Sequence, residues 1–174
     1  MSYFPAFLKL ENKKVLIVGG GKIASQKLEH LLDFTSDISV IAPELSAEMS
    51  KIIEEKNLHF EKREYIKGDI QNFAIVVVAA DNIALQAEIF KESRGSGTLC
   101  NCVDSMDYCD FIFSSYIKKD DLTIAISTSG ASPAFSKHLK KYLQKLIPPD
   151  TGVFLQEMKK LRESLSKGKE RMKM

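Results

Sequence analysis

The chain has 174 residues, 44% of them apolar, and a formal net charge of only +2, which excludes a general electrostatic field for nucleic acid. The apolar run that contains residues 74–80 is too short to cross a bilayer. Residues 1–10 lack the charged and long apolar regions of a signal peptide, so we expect a cytoplasmic protein with one main core.

The first two thirds of the chain alternate strand-like and helix-like segments. Short runs of apolar residues predict strands at 14–18, 38–41, 58–65, 75–79 and 99–103. Helices are predicted from Ile23, over residues 44–56, and from a cap at Asp81 to about Arg94, with a turn at 95–97. This alternation predicts an α/β fold with a Rossmann-type, doubly wound parallel sheet.

The pattern changes after about residue 110. Residues 111–117 and 122–127 are predicted strands of a hairpin, with a polar break between them. Ser132 and Pro133 suit the cap and first residue of a helix that ends near Leu146, and a last helix is predicted over 152–165. We therefore expect a Rossmann domain over 1–113, a small α+β region over 114–147 and a short helical segment over 148–174.

A glycine motif, Gly-x-Gly-x-x-Ala, follows the first predicted strand and opens a helix. The first glycine permits a tight turn, the second lets the backbone approach a pyrophosphate, and the alanine lets the helix pack on the strand. The alternative is a tight turn without a ligand. Because free N–H groups at a helix start face phosphates, we predict that a nicotinamide dinucleotide contacts Gly19, Gly20, Gly21, Lys22, Ile23 and Ala24.

The end of the second strand bears on the choice of cofactor. The acid that usually holds the adenosine ribose is replaced there by Ala42 and Pro43, with Glu44 just beyond. Glu44 either reaches the ribose or only starts the next helix. No Arg or Lys lies between Ile41 and Ser50 to hold a 2′-phosphate, which favours NAD over NADP.

Two further strand ends supply candidate residues. Ala80 and Asp81 follow the fourth strand, so they are predicted to line the cofactor crevice, with a helix cap as the alternative for Asp81. Asn101 and Asp104 mark the end of the fifth strand. A carboxylate at Asp104 would accept or relay a proton beside the nicotinamide, although aspartates in loops are more often turn residues.

Other acids and three cysteines near Asp104 are further candidates for a chemical role. Asp107 and Asp110 are alternative proton acceptors by position alone. Cys100, Cys102 and Cys109 are the three cysteines, and an odd count favours reduced thiols. The three histidines are scattered along the sequence, so no metal site is predicted.

A loop of small residues precedes the helix that begins at Pro133. Hydroxyls and backbone N–H groups at a helix start are an arrangement that holds anions. The lysines of the following helix would meet a polyanionic substrate, or they form a solvated face. The predicted substrate-binding residues in this loop are Ser127, Thr128, Ser129, Gly130 and Ser132.

Six segments occur in an order that resembles the siroheme synthase family, which includes precorrin-2 dehydrogenase and, often, sirohydrochlorin ferrochelatase. The segments are residues 18–24, 42–45, 79–81, 101–104, 109–113 and 122–133, and the resemblance covers about residues 3–149. It implies NAD-dependent oxidation of precorrin-2, a tetrapyrrole with eight carboxylates, to sirohydrochlorin. It also implies that Asp104 handles a proton and that residues 114–147 form a homodimer.

The resemblance does not decide whether the chain has ferrochelatase activity. Bifunctional members insert Fe²⁺ after the oxidation, but the helical part after Pro149 is shorter here than in many members. The sequence also has no trailing methyltransferase domain, so we expect methylation by another protein.

The sequence leaves two alternative functions. A different NAD-dependent dehydrogenase would need an Arg or Lys–Tyr constellation after the cofactor domain, and none is evident in the sequence. A non-enzymatic, NAD-sensing dimer would account for the glycine motif but not for the segments at 101–104 and 127–133.

Overall fold

A computed structural model describes the backbone of residues 3–171 and the side chains of residues 3–165. The chain divides into two compact units, which are considered separately. The larger unit is Pro5–Ile112, and the smaller begins at Phe113 and includes Tyr3 and Phe4. The boundary lies one residue from the predicted end of the Rossmann domain, whereas the further division at 147 stays a prediction.

The larger unit is built on a five-stranded parallel sheet, as the sequence predicts. Its strands lie in the order β3-β2-β1-β4-β5, with Val18 of β1 opposite both Ile41 of β2 and Val78 of β4. All carboxyl ends of the strands therefore meet at one edge of the sheet. The strands are β1 (Val15–Val18), β2 (Ile38–Ile41), β3 (His59–Glu61), β4 (Ile75–Val78) and β5 (Leu99–Cys102).

Three helices connect the strands: α1 (Lys22–Leu32), α2 (Ala47–Lys56) and α3 (Ile83–Ser96). The prediction that a helix starts at Glu44 is wrong, because Ser46 caps α2 by accepting a hydrogen bond from the N–H of Met49. The predicted cap at Asp81 is also wrong, since the neighbouring Asn82 accepts from the N–H of Leu85.

The end of α3 corrects the predicted turn at residues 95–97. Gly95 and Ser96 continue the helix, and Gly97 ends it in the left-handed conformation, with φ of 73°. A glycine reaches that conformation without the steric cost of a β-carbon, which explains a helix longer than predicted.

The core of the larger unit lies on both faces of the sheet. Leu16, Val76, Val78 and Ile89 are fully buried, and each such side chain contributes about 1.5–3 kcal/mol to folding. Residues 62–74 join β3 to β4 without a helix, and Ile70 from this segment completes the core beside β4.

The smaller unit contains the predicted hairpin and two helices. Its strands are β6 (Ser115–Lys119) and β7 (Leu122–Ile126), joined at Asp120 and Asp121. Its helices are α4 (Pro133–Leu146), with Ser132 as the predicted cap, and α5 (Thr151–Arg171). The first strand starts four residues later than predicted and α5 ends six residues later; residues 172–174 lie outside the described part.

Helices of membrane-spanning length and hydropathy are not found among the described residues.

Candidate functional site

The glycine turn, residues 19–24, connects β1 to α1 and is closely packed on two sides. Gly19 has φ of 120°, and a β-carbon there would overlap the carbonyl group of Ala79. A β-carbon at Gly20 would overlap the carbonyl oxygen of Glu44, and the N–H of Ser46 donates to the carbonyl oxygen of Gly20 at 2.8 Å. These two glycines are therefore required by the packing of the turn itself.

The third glycine leaves the start of α1 open. Gly21 is the N-cap and has no side chain to accept from the first N–H groups of the helix, whereas side chains cap α2, α3 and α4. A β-carbon at Gly21 would have no heavy atom of the described residues within 4 Å beyond its immediate neighbours. The unpaired N–H groups and this free space fit the pyrophosphate of a dinucleotide.

The other predicted residues of the turn differ in their exposure to solvent. Lys22 and Ile23 are exposed at the opening of α1, whereas Ala24 is fully buried against the sheet. Ser25, also buried, donates its hydroxyl hydrogen to the carbonyl oxygen of Lys22 at 2.8 Å, which holds the first turn of the helix.

The end of β2 lies next to the glycine turn. In the four-residue link from β2 to Ser46, Ala42 is buried and Pro43 and Glu44 are exposed. Because α2 starts only at Ala47, the interpretation of Glu44 as a helix-starting residue is wrong, and its contact with the cofactor stays a prediction.

The end of β4 lies at the same edge of the sheet as the glycine turn. Ala79 and Ala80 are half-buried, and Asp81 is exposed. The carbonyl oxygen of Ala80 accepts from the N–H of Asn82 at 2.8 Å and from the side-chain nitrogen of Gln86 at 3.0 Å. Gln86 is not predicted from the sequence, although a polar residue at helical spacing from buried Ile89 indicates such a role.

Asp104 lies in a turn, residues 103–109, that follows β5 at the same edge of the sheet. The N–H of Val103 still donates to the carbonyl oxygen of Val78 at 3.1 Å, so Asp104 is the first residue beyond the sheet ladder. Its side chain is exposed, and a 3₁₀ turn at Met106–Tyr108 follows. A proton-handling role for this exposed carboxylate stays a prediction.

Asn101 is 5% exposed and is held inside the protein. Its side-chain nitrogen donates to the carbonyl oxygen of Phe111 at 2.8 Å, while its side-chain oxygen is buried without a partner among the described residues. Contact of Asn101 with substrate stays a prediction. Of the alternative acids, Asp107 is exposed, whereas Asp110 is engaged by Arg94 and by the N–H of Cys100.

The three thiols lie together beneath the Asp104 turn. The sulfurs of Cys100 and Cys102 are 3.7 Å apart, and the thiol of Cys109 donates to the carbonyl oxygen of Cys102 at 3.1 Å. Hydrogen bonding to Cys100, together with burial, raises the pKa of Cys102, and burial raises the pKa of Cys109. No group of three or more potential metal-ligating side chains is found among the side chains described.

The hydroxyl loop, residues 127–133, belongs to the smaller unit. The hydroxyl of Ser127 accepts from the N–H of Ser129, and that of Thr128 accepts from the N–H of Ser132. Ser129 and Gly130 both have positive φ, which forms the tight turn before α4. Each hydroxyl that accepts in this way still has a hydrogen to donate to an anion.

The predicted site residues thus fall in both units. The glycine turn, Glu44, Asp81 and Asp104 line the carboxyl edge of one sheet in the larger unit, as a dinucleotide site in a doubly wound fold requires. The hydroxyl loop belongs to the smaller unit.

Comparison with known families supports this description of the fold and cofactor site. Residues 6–115 match the family model described as "Putative NAD(P)-binding", and the chain belongs to this family of nicotinamide-dinucleotide-binding domains. Residues 119–146 match a second model, described as "Sirohaem biosynthesis protein central". The resemblance to siroheme synthases expected from the sequence is therefore confirmed.

Individual relatives agree with the family matches. The siroheme synthase of Mannheimia succiniciproducens is 35% identical over 153 residues, which are 88% of this chain and 32% of that protein. That of Neisseria meningitidis serogroup C is 34% identical over 152 residues, 87% of this chain and 32% of that protein. The chain thus spans about a third of the length of the curated relatives it matches.

A solved structure gives a match of more similar length. The protein described as "SirC, precorrin-2 dehydrogenase" superposes with a TM-score of 0.71 at 27% sequence identity. The match covers 88% of this chain and 76% of that one.

Proposed function

We propose that the chain oxidises precorrin-2 to sirohydrochlorin with NAD, a step in siroheme biosynthesis, in the cytoplasm. The observation that carries the proposal is the juxtaposition of an uncapped α1 and the exposed Asp104 at one edge of the sheet. The relatives are siroheme synthases, and a similar structure is that of a precorrin-2 dehydrogenase.

Different residues of the larger unit are proposed to bind the cofactor and to accept the proton. N–H groups of the glycine turn and α1 bind the pyrophosphate, and the small side chains of Ala79 and Ala80 leave room beside it. NAD, when bound, supplies the acceptor for the two electrons that leave the macrocycle as a hydride. Asp104 accepts the proton that the macrocycle loses and releases it to solvent.

The hydroxyl loop is proposed to bind substrate carboxylates. Ser127, Thr128 and Ser132 have hydrogens left to donate after shaping the loop. Lys137 and Lys141 on α4 are exposed and add positive charge for a substrate with eight carboxylates.

Glu44 is proposed to make the site selective for NAD over NADP. Its backbone lies against Gly20, and it does not belong to α2, so the side chain is available at the end of β2. A carboxylate there accepts hydrogen bonds from ribose hydroxyls and repels a 2′-phosphate, and residues 42–50 contain no Arg or Lys to attract one.

We also propose that the smaller unit forms a homodimer. Phe135, Tyr142 and Leu146 on α4 are 58%, 61% and 59% exposed, at a spacing that places them on one face of the helix. Val153 and Phe154 on α5 add further exposed apolar surface. Burial of this surface by a second copy removes it from water.

The test follows absorbance of purified precorrin-2 after addition of NAD and then of Fe²⁺. We expect sirohydrochlorin to accumulate with wild-type protein, and we expect Asp104→Ala to reduce kcat at least ~100-fold while NAD affinity is retained. Asp107→Ala removes the exposed alternative acid of the same turn and should keep the wild-type kcat; a loss of kcat in Asp107→Ala alone would assign the proton to Asp107.

Each step of the assay has an outcome that contradicts part of the proposal. No oxidation by wild-type protein despite NAD binding would favour the non-enzymatic, NAD-sensing alternative. Oxidation by Asp104→Ala at the wild-type rate would remove the proposed role of Asp104. Iron uptake above the spontaneous rate would add Fe²⁺ as a substrate and a ferrochelatase activity, while its absence would leave a dehydrogenase alone.

A further inference from the structure

The segment after Asp104 returns along the outer edge of β5 and is bonded to it. The N–H of Asp110 donates to the carbonyl oxygen of Cys100 at 2.8 Å. The side chain of Asp110 accepts from the N–H of Cys100, also at 2.8 Å. Asp110 therefore satisfies both outward backbone groups of one residue in the edge strand.

A cation from α3 fixes the same carboxylate. The guanidinium of Arg94 donates to the oxygen of Asp110 that also accepts from Cys100, and this contact raises the pKa of Arg94. The guanidinium lies 4.3 Å from the centre of the Phe90 ring. The side chain of Asp110 is 18% exposed and that of Arg94 is 48% exposed, so the carboxylate is the shielded partner of the pair.

Further contacts close the base of the turn around the same point. Asn101 and Cys109 form an antiparallel bridge, and the side chain of Asn101 donates to the carbonyl oxygen of Phe111 at 2.8 Å. The Phe90 and Tyr108 rings pack with centroids 5.6 Å apart. Both ends of the Asp104 turn are thus attached to β5, whereas Asp104 itself is exposed.

We propose that Asp110 is a positioning residue, which with Arg94 holds the Asp104 turn on β5 so that the carboxylate of Asp104 meets the substrate. Asp110 touches neither cofactor nor substrate and acts through the turn. The inference rests on the proposed function of Asp104. A displacement of about 1 Å at a reacting group can cost about 100-fold in rate, so loss of this attachment should lower kcat.

The test compares Asp110→Ala with Asp69→Ala. Asp69 is a matched control because its carboxylate also accepts from a guanidinium, that of Arg63, and from a backbone N–H, that of Ile66. We expect both variants to lower the melting temperature by similar amounts. Only Asp110→Ala should lower kcat, by about 10- to 100-fold, with NAD affinity changed less than about twofold.

Amide hydrogen exchange gives a readout that does not depend on turnover. Asp110→Ala should accelerate exchange at residues 103–109 at least ~10-fold, whereas Asp69→Ala should leave that segment protected. If Asp110→Ala does not fold, Arg94→Gln removes the cation and keeps the bonds between Asp110 and Cys100, and a smaller loss of kcat is expected.

The outcomes separate this inference from the proposed function. A wild-type protein that does not oxidise precorrin-2 overturns the function, and hydrogen exchange then still decides whether Asp110 holds the turn. A wild-type protein that does oxidise precorrin-2, with unchanged kcat in Asp110→Ala or an equal loss in Asp69→Ala, overturns the positioning role.

Discussion

The α-carbon of Gly20 faces the carbonyl oxygen of Glu44 so closely that a β-carbon at position 20 would overlap it. The N–H of Ser46 then donates to the carbonyl oxygen of Gly20, so the links after β1 and β2 are joined directly. Gly20 therefore has a structural requirement that Gly21, which has free space at its β-carbon position, does not share.

Gly20→Ala and Gly21→Ala are predicted to have different effects. Gly20→Ala should lower the melting temperature and weaken NAD binding, because the link containing Glu44 must move. Gly21→Ala should leave the melting temperature of the free protein within about 2 °C but weaken NAD binding at least ~10-fold, since its β-carbon occupies the pyrophosphate position. Thermal unfolding measures the melting temperatures, and calorimetric titration measures the NAD affinities. An equal loss of melting temperature in the two variants would contradict the predicted difference between Gly20 and Gly21.

Glu44→Ala is predicted to narrow the preference for NAD over NADP. We expect NAD to bind about 10-fold more weakly, through loss of hydrogen bonds to the ribose, and NADP to bind no more weakly than before. Dissociation constants for both cofactors provide the measurement. Glu54→Ala removes an exposed acid of α2 as the control, and an unchanged ratio in Glu44→Ala would exclude the proposed role.

The thiols are predicted to react slowly in the folded protein. Hydrogen bonding to Cys100 and burial raise the pKa of Cys102, and burial raises that of Cys109, so the reactive thiolate is scarce at pH 8. Alkylation by iodoacetamide should be at least ~10-fold slower than in 8 M urea. Peptide mapping by mass spectrometry locates the modification, and rapid labelling of Cys102 in the native protein would be inconsistent with this environment.

The Arg63–Asp69 pair predicts a loss of stability in acid. Burial opposes ionisation of Asp69, but hydrogen bonds from Arg63 and from the N–H of Ile66 outweigh it and lower its pKa. The contribution is therefore complete above the pKa of an unfolded aspartate, about 3.9, and is lost as the pH falls through the lower folded value.

Asp69→Asn should accordingly lower the free energy of unfolding by about 1 kcal/mol at pH 7 and by less at pH 3. Urea unfolding at the two pH values measures the difference. Asp37→Asn is the control, because Asp37 and Asp69 line one cavity but Asp37 makes no ion pair among the side chains that the structure describes. A loss for Asp69→Asn that is independent of pH would argue against the pair.

Tyr142→Asp is predicted to weaken self-association. A charge on the exposed apolar face of α4 would have to be buried between two copies, which costs several kcal/mol unless it is paired. Sedimentation at micromolar concentration should give the dimer mass for wild type and a shift toward monomer for Tyr142→Asp. Gln144→Asp places the same charge elsewhere on α4 and should not shift the mass; a monomeric wild type would refute the homodimer.

Much of the fold could be predicted because the signals are local. The apolar runs at β1, β2 and β4 are bounded by glycine, alanine or proline, and Ser132–Pro133 marks the start of α4 within its own few residues. Alternation of strand and helix then restricts the sheet to a parallel one.

The start of α3 and the role of Asn101 could not be predicted, because each depends on which of several possible hydrogen-bond partners the folded backbone brings into reach. Asp81 and Asn82 are both good caps, and the backbone geometry selects Asn82. Asn101 follows the pattern of a residue at a strand end, but its amide is held inside by Phe111, a partner ten residues away. Likewise, the engagement of Asp110 by Arg94 requires α3 and β5 to be in place.

Attachment of residues 109 and 110 to β5 also affects how the protein avoids aggregation. A bare edge strand offers unpaired N–H and C=O groups to which a strand of another molecule can add. The opposite edge, β3, has only three residues, while β5 is protected by the same segment that carries Asp104. Opening of that segment would therefore expose an unpaired strand edge and displace Asp104 in the same event. Molecules that lose the proposed proton acceptor would then also be the ones prone to aggregate.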